Sequence, residues 1–220
     1  MKPEDLQEIL SCMSIHDIDI REPLYESNQP IDTAYFPESG VMSIVTPIEG
    51  GPYVEAATVG YEGMVGLPLI LGANATPTMA FCQVAGRVWS ISAADLLQHV
   101  ERSAELSLAL RRYTQTVFDL LAQSTACNRL HTIEERCARW LLLTQDRMSS
   151  DTFHLTQEFL AMMLGVHRPG VSLAAKGLQD ANLISYKHGK VTILDGVGLE
   201  EVSCACYRIV RNAFDKLVCV

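Results

Sequence analysis

The residues best suited to chemistry lie close together in the run "LTQEFLAMMLGVHRPGVSLAAKGLQDANLI", Leu155 to Ile184. Arg168 carries a planar fork of donors that matches the paired acceptors on a guanine edge. His167 can cap a helix, reach a base or touch a phosphate. Ser172 can bond a base or a phosphate, and Leu173 can cover a thymine methyl. Lys176 suits a phosphate, as do Lys187 and Lys190 a little further on. Thr156 and Gln157 open a short helix whose free backbone N–H groups favour an anion. These residue types recognise a duplex by hydrogen bonds and charge; they do not make or break bonds.

Bond-making chemistry has thinner support. His16, His99, His131, His154, His167 and His188 could in principle pair with a cysteine. The seven cysteines are Cys12, Cys82, Cys127, Cys137, Cys204, Cys206 and Cys219. Their number is odd, their positions are scattered, and no CxxC occurs. They read as reduced thiols acting as small apolar residues. The weaker alternative is a redox role for Cys204 and Cys206 with Cys219. There is no nucleophile elbow, Walker loop or metal-spaced cluster, so neither a metal nor an enzyme activity is expected.

The recognition residues need elements to hold them. Pro169 and Gly170 look out of place in an amphipathic run. Proline is at home in the first turn of a helix, where its missing N–H has no partner to lose. The pair therefore marks the start of a helix from about Arg168 to Asp180, ended by Asn182. Gly170 costs some helix stability, and could let the backbone approach a phosphate. Upstream, Thr156 caps the short helix "QEFLAMML", and Gly165 with Val166 makes the turn. Phe159, Leu160, Met163 and Val166 should face inward from the first helix. Val171, Ala174, Ala175 and Leu178 should face inward from the second. A short helix, a turn and a second helix make a helix-turn-helix, and the N-terminus of such a second helix meets base edges in the major groove. "LISY", "KHGK" and "VTIL" then form a hairpin with His188-Gly189 at its tip.

Further upstream, Thr132 and Glu135 have the spacing of a capping box for a helix through Glu135 to Leu143. Leu106, Leu110, Tyr113, Val117, Leu120, Ser124 and Cys127 recur in steps of four and three. That heptad seam predicts a long helix pairing with its own copy, and Phe118 and Leu121 widen it. The alternative is that the stripe only packs on its own barrel, and the two readings can both hold. Residues 20 to 92 break into short β-rich runs punctuated by glycine and proline, the pattern of a sandwich or barrel. The fold class is α+β. The domains are 1–104, a jelly-roll-like double-stranded β-helix, 105–131, a dimerisation helix, and 132–220, a winged helix-turn-helix.

The totals agree with a globular chain of 220 residues, 48% hydrophobic and 20% charged. No apolar run approaches the length of a membrane span, and "MKPEDLQEIL" lacks a signal-peptide core. A cytoplasmic location is expected. The net charge of −9 argues against a protein that coats nucleic acid. From Asp151 onward, however, seven basic residues balance seven acidic ones, so the first 150 residues carry the whole excess. An acidic first part on a neutral last part points to two units with different partners.

The whole chain resembles the Crp/Fnr family of bacterial transcription regulators, over about residues 15 to 205. "YFPESGVMSIV" is similar to the early strands of their β-roll, "EGMVGLPLILG" to their phosphate cassette, and the heptad helix to their dimer helix. The run quoted at the outset is similar to their winged helix-turn-helix. The resemblance implies a homodimer that reads a palindrome in double-stranded DNA, with RNA polymerase as a further partner of an activator. It also implies an effector pocket around Gly63, Met64, Val65, Gly66, Leu67, Thr76, Pro77, Leu121 and Ala122.

The departures bear on the effector. Met64 stands where cyclic-AMP-binding members place an acid for the ribose. Ala75-Thr76-Pro77-Thr78 lacks the arginine that meets the cyclic phosphate, and a buried phosphate without a cation is poorly compensated. Leu121 and Ala122 replace hydroxyls that face the adenine. No cofactor is expected, and the effector should be something other than cyclic AMP. The alternative is a cyclic-nucleotide-responsive regulator that draws its cation from elsewhere, with Arg87 the nearest candidate. Cys12 alone near the N-terminus cannot hold an iron–sulfur cluster. The second helix keeps Arg168 but has Pro169 and Leu173 where well-known members carry a glutamate and a second arginine, so its operator should differ from theirs.

Overall fold

The computed structural model describes residues 3–51, 53–148 and 150–218. Cys219 lies outside them. The chain divides into two compact units: Met1–Val45 with Ala57–Phe118, and Thr46–Ala56 with Asp119–Val220.

The first unit holds α1 (Pro3–Ser11), β1 (Ser14–Ile18), β2 (Pro23–Tyr25) and β3 (Thr33–Pro37). It continues with β4 (Val41–Thr46) up to Val45, β5 (Val54–Val59) from Ala57 on, α2 (Leu67–Ile70), β6 (Met79–Val84), β7 (Gly86–Ser92) and α3 (Ala93–Arg102). The strands form two sheets, ordered β1-β7-β3 and β2-β6-β4-β5, and the pairs of β7 and β6 with their neighbours are antiparallel. Val41, Met42, Val45, Ala80, Cys82, Val88 and Ile91 are buried on them. The β-rich runs of the sequence are thus a double-sheet barrel-like domain. Gly66 caps α2 with a φ of 107°, a region open to glycine at little cost.

α4 (Ala104–Leu130) is the long helix expected from the heptad. The division between the two units falls within it, at Phe118 and Asp119, rather than at either end. Its seam does not face outward. Leu110, Tyr113, Val117, Leu120 and Cys127 are buried within the single chain, and Leu106 and Ser124 are half-buried. Tyr113 donates its hydroxyl hydrogen to the carbonyl of Met64, and Ser124 accepts from Arg139. Most of the expected seam is thus covered within the single chain. A heptad stripe marks one buried face of a helix, and what buries it cannot be read from the spacing.

The second unit is built on α5 (Ile133–Met148), with α6 (Gln157–Leu164) and α7 (Arg168–Asp180) packed on it. A three-stranded wing, β8 (Thr152–His154), β10 (Lys190–Ile193) and β9 (Ile184–Lys187), is ordered β8-β10-β9. α8 (Gly196–Val202) and α9 (Cys206–Val218) follow and also pack on α5. Sequence patterning does not foretell β8, α8 or α9. Asp195 and its bond to the N–H of Gly198 mark the start of α8. Tyr207, Val210 and Phe214 bury the inner face of α9. Trp140 of α5 donates its indole N–H to Glu55, which seats the Thr46–Ala56 segment on this unit. Among the described residues no helix is long and apolar enough to cross a membrane.

The capping box is present as read. The Thr132 hydroxyl accepts from the N–H of Glu135, and the Glu135 carboxylate accepts from the N–H of Thr132 at 2.8 Å. Those bonds hold the Glu135 carboxyl below its ordinary range. A depressed carboxyl contributes stability above its unfolded pKa and loses it as the pH falls through the folded value. Thr132→Ala should cost about 1 kcal/mol at neutral pH. In thermal unfolding, the gap to wild type should narrow as the pH drops below about 4.

Candidate nucleic-acid interface

The start of α7 is exposed where the sequence placed its working end. His167 is the N-cap residue, in extended backbone and without a side-chain cap bond, and Pro169 sits in the first turn. Thr156 caps α6 by accepting from the N–H of Phe159, and Gly165 closes α6 in the left-handed region. Leu160, Met163, Val171, Ala174, Ala175 and Leu178 are buried, while Phe159 and Val166 are half-buried.

Gly170 has a packing role that its position in the sequence does not show. A Cβ there would stand 2.9 Å from Cδ1 of Ile133, and one on Gly177 would stand 3.1 Å from the Glu134 carboxylate. Both glycines face α5. They let α7 come close to its support, and the helix propensity they give up serves that packing. Arg136 is buried on α5 and donates to the carbonyl of Leu164, an acceptor left over at the end of α6. α5 therefore fixes both helices of the turn.

His167, Arg168, Leu173 and Lys176 are exposed, Leu173 at 74% of its full area. Ser172 is half-buried and already engaged. It donates to the side-chain oxygen of Gln157 at 2.6 Å and stands 3.1 Å from the carbonyl of Arg168. Gln157 and Ser172 thus clip α6 to α7, and neither is a free contact in this state. Thr156 is exposed, with its hydroxyl used in the cap.

On the wing, His188 and Gly189 both have positive φ, 51° and 73°, as a two-residue type I′ hairpin requires. Lys187 pairs directly with Lys190, and Lys190 with His154 on β8. All three are exposed. Like charges set opposite each other on a sheet repel, so this row suits an anion such as a backbone phosphate. His154 escapes a reading of the sequence because β8 does, and only its register reveals the row.

Of the expected effector residues, 63–67, Thr76 and Pro77 lie in the first unit, and Leu121 and Ala122 in the second. Met64 and Val65 are fully buried and Gly66 is buried, while Gly63, Leu67 and Thr76 are half-buried and Pro77 is exposed. A Cβ on Gly63 would collide with the Tyr113 ring. The hydroxyls of Thr76, Thr78 and Tyr25 form a chain at 3.2 and 3.3 Å. On α4, Leu121 is half-buried and Ala122 exposed. Arg87, the candidate phosphate cation, stands on β7 beside Asp17 at 3.2 Å and Glu38 at 3.6 Å. Its charge is already met by two carboxylates.

The cysteines are not all scattered. Cys127, Cys204 and Cys206 are buried together, with Cys206 3.5 Å from His131. No CxxC pair announces this cluster. Its signal is a C-x3-H spacing that tertiary folding joins to a C-x-C.

Residues 135–202 match the Crp-like helix-turn-helix domain. No curated protein is a significant match in sequence. Solved structures share the fold at low identity. A Crp/Fnr-family transcriptional regulator of Eubacterium rectale superposes with a TM-score of 0.72 at 18% identity, over 92% of this chain and 94% of its own. FixK2 of Bradyrhizobium japonicum gives 0.75 at 15%, over 88% and 98%. A Crp-family regulator of Thermus thermophilus gives 0.68 at 20%, over 86% and 96%. Residues 135–202 are a Crp-like helix-turn-helix domain, carried in a chain with the fold of the Crp/Fnr transcription regulators.

Proposed function

We propose that this protein is a sequence-specific, DNA-binding transcription regulator that acts as a homodimer on a palindromic operator. The observation that carries the reading is the exposed start of α7. Arg168, Leu173 and Lys176 face outward there while α5 holds the helix from behind. Arg168 and His167 would meet base edges, and Leu173 a thymine methyl. Lys176 and the row His154, Lys187 and Lys190 would meet phosphates.

The face of α4 left open supports dimerisation through residues other than the inward seam. Leu108, Phe118, Ala122 and Thr125 are exposed and recur at helical spacing, with Leu108 at 48% and Phe118 at 55%. Two copies packed along that stripe would set two recognition helices about one turn of DNA apart.

The effector is proposed to be a ligand other than cyclic AMP. Met64, buried and apolar, stands in the place of the ribose acid. Arg87 is held by Asp17 and Glu38, which weakens the cyclic-nucleotide alternative.

Selection from random duplex DNA should enrich a palindrome with wild type, and Arg168→Ala should weaken that site by about 1–3 kcal/mol and relax one position. A sequence-independent loss in that variant would remove Arg168 from base reading. Replacing Lys187 and Lys190 by glutamine should lower affinity evenly across sequences and reduce the log–log salt slope by about one each. Phe118→Glu should shift the protein to monomer in analytical ultracentrifugation and weaken operator binding; an unchanged dimer would move the interface elsewhere. Cyclic AMP should leave thermal stability unaltered, and a saturable upward shift would restore the alternative.

A further inference from the structure

Cys127 and His131 are one helical turn apart at the end of α4, where the N–H of His131 still bonds the carbonyl of Cys127 at 3.1 Å. Cys204 lies in the turn between α8 and α9, and Cys206, two residues on, opens α9. Three of the four side chains are buried and His131 is half-buried, and their donor atoms all lie within 4.8 Å of one another. Cys127 Sγ stands 3.5 Å from Cys204 Sγ, and Cys206 Sγ 3.5 Å from His131 Nδ1. Tetrahedral zinc, with Zn–S near 2.3 Å and Zn–N near 2.0 Å, requires donors roughly 3.5–3.8 Å apart. The two close pairs already match opposite edges of that tetrahedron.

The surroundings are built for negative charge. Gln123, one turn before Cys127 on α4, points its amide nitrogen at Cys206 Sγ, 2.9 Å away. Arg139 lies beside Cys127 and donates to Ser124 at 2.9 Å. Arg136 also feels Cys127 and Cys204. The Nε atoms of Arg136 and Arg139 are both buried without a hydrogen-bond partner. Two guanidinium groups beside the cluster suit a site whose bound form carries negative charge. A pocket lined by Glu200, Ser203, Cys204, Ala205 and Arg208 reaches the cluster from the surface.

We propose that Cys127, His131, Cys204 and Cys206 form a Cys3His site for a zinc ion. The ligand type and number are those of a structural site, with no position left open. Three thiolates and a divalent ion carry a net charge of −1, which a single neighbouring arginine offsets. The ligands bracket the Crp-like domain: Cys127 and His131 precede residues 135–202, and Cys204 and Cys206 follow them. The ion would clasp both flanks and fix the end of α4 to the start of α9.

The test uses the full-length reduced protein, stripped with a chelator and titrated with Co2+ alone. The expected result is a tetrahedral cobalt spectrum with thiolate charge-transfer absorption, saturating at about one ion per chain and displaced by Zn2+. Cys206→Ser should lose about a third of the charge-transfer intensity, one thiolate of three. Cys12→Ser, at an exposed thiol, should change nothing. Zn2+ should raise the unfolding temperature of wild type and not that of the Cys204→Ser, Cys206→Ser double variant. Absence of a tetrahedral spectrum in the wild type overturns the proposal, and that readout does not depend on any variant folding. So does an undiminished spectrum in the double variant, or a thiol count showing a Cys127–Cys204 disulfide in protein kept under reductant. None of these readouts depends on DNA binding.

Discussion

The close approach of α7 to α5 is the constraint on which the exposed reading face depends. A Cβ on Gly170 would stand 2.9 Å from Cδ1 of Ile133 and one on Gly177 3.1 Å from the Glu134 carboxylate, so the tips of those side chains would have to shift. Ala174 and Ala175 are buried on the same helix. With α7 drawn in on that side, its opposite side must stand in solvent. Arg136 fixes the other half of the turn by capping the end of α6 at Leu164. A charged hydrogen bond to a buried carbonyl is worth more than a neutral one, and losing it would strand the acceptor. α5 is therefore the platform, and its own start is secured by the Thr132–Glu135 box.

Polar groups within this unit divide into those spent on structure and those left available. Ser172 and Gln157 satisfy each other across the turn, which sets the angle of α7 but removes both from the set of free contacts. Arg168, Lys176, Lys187 and Lys190 are exposed. The Lys187–Lys190 pair is unfavourable in the free protein, and a phosphate beside it would reverse the sign. A lone exposed leucine is ordinary on a protein surface. Leu173 gains meaning because it shares the exposed side of α7 with Arg168 and Lys176.

α4 illustrates how one helix can meet two demands. Its apolar seam is consumed inside the chain, with Tyr113 anchored on Met64 and set against Gly63. That contact fills space in the region resembling a phosphate cassette, where Met64 is also buried. Phe118 and Leu108 lie on a different side and remain exposed. At its C-terminal end the same helix delivers Cys127 and His131 to a thiol cluster completed from beyond α8. The three sulfurs there are buried, a setting in which charge must be matched locally.

Much of the second unit is legible in the sequence because its signals are local. Thr132 with Glu135, Thr156, Gly165, Pro169 and His188-Gly189 each act within a few residues, through capping bonds or a required sign of φ. They mark the bounds of α6, α7 and the wing turn in sequence alone. The strand β8 is not legible, because three residues carry no period, and with it goes His154. Which side of α4 faces inward is not legible either, since spacing defines a stripe but not what covers it. The role of Gly170 depends on Ile133, 37 positions earlier, and the cysteine cluster on a loop of 72 residues closing between His131 and Cys204. Sequence by itself determined the local conformations and hence the helix-turn-helix. Only the tertiary structure decided which faces were spent on packing and which distant donors came within bonding range, because those follow from chain contacts that no short window contains.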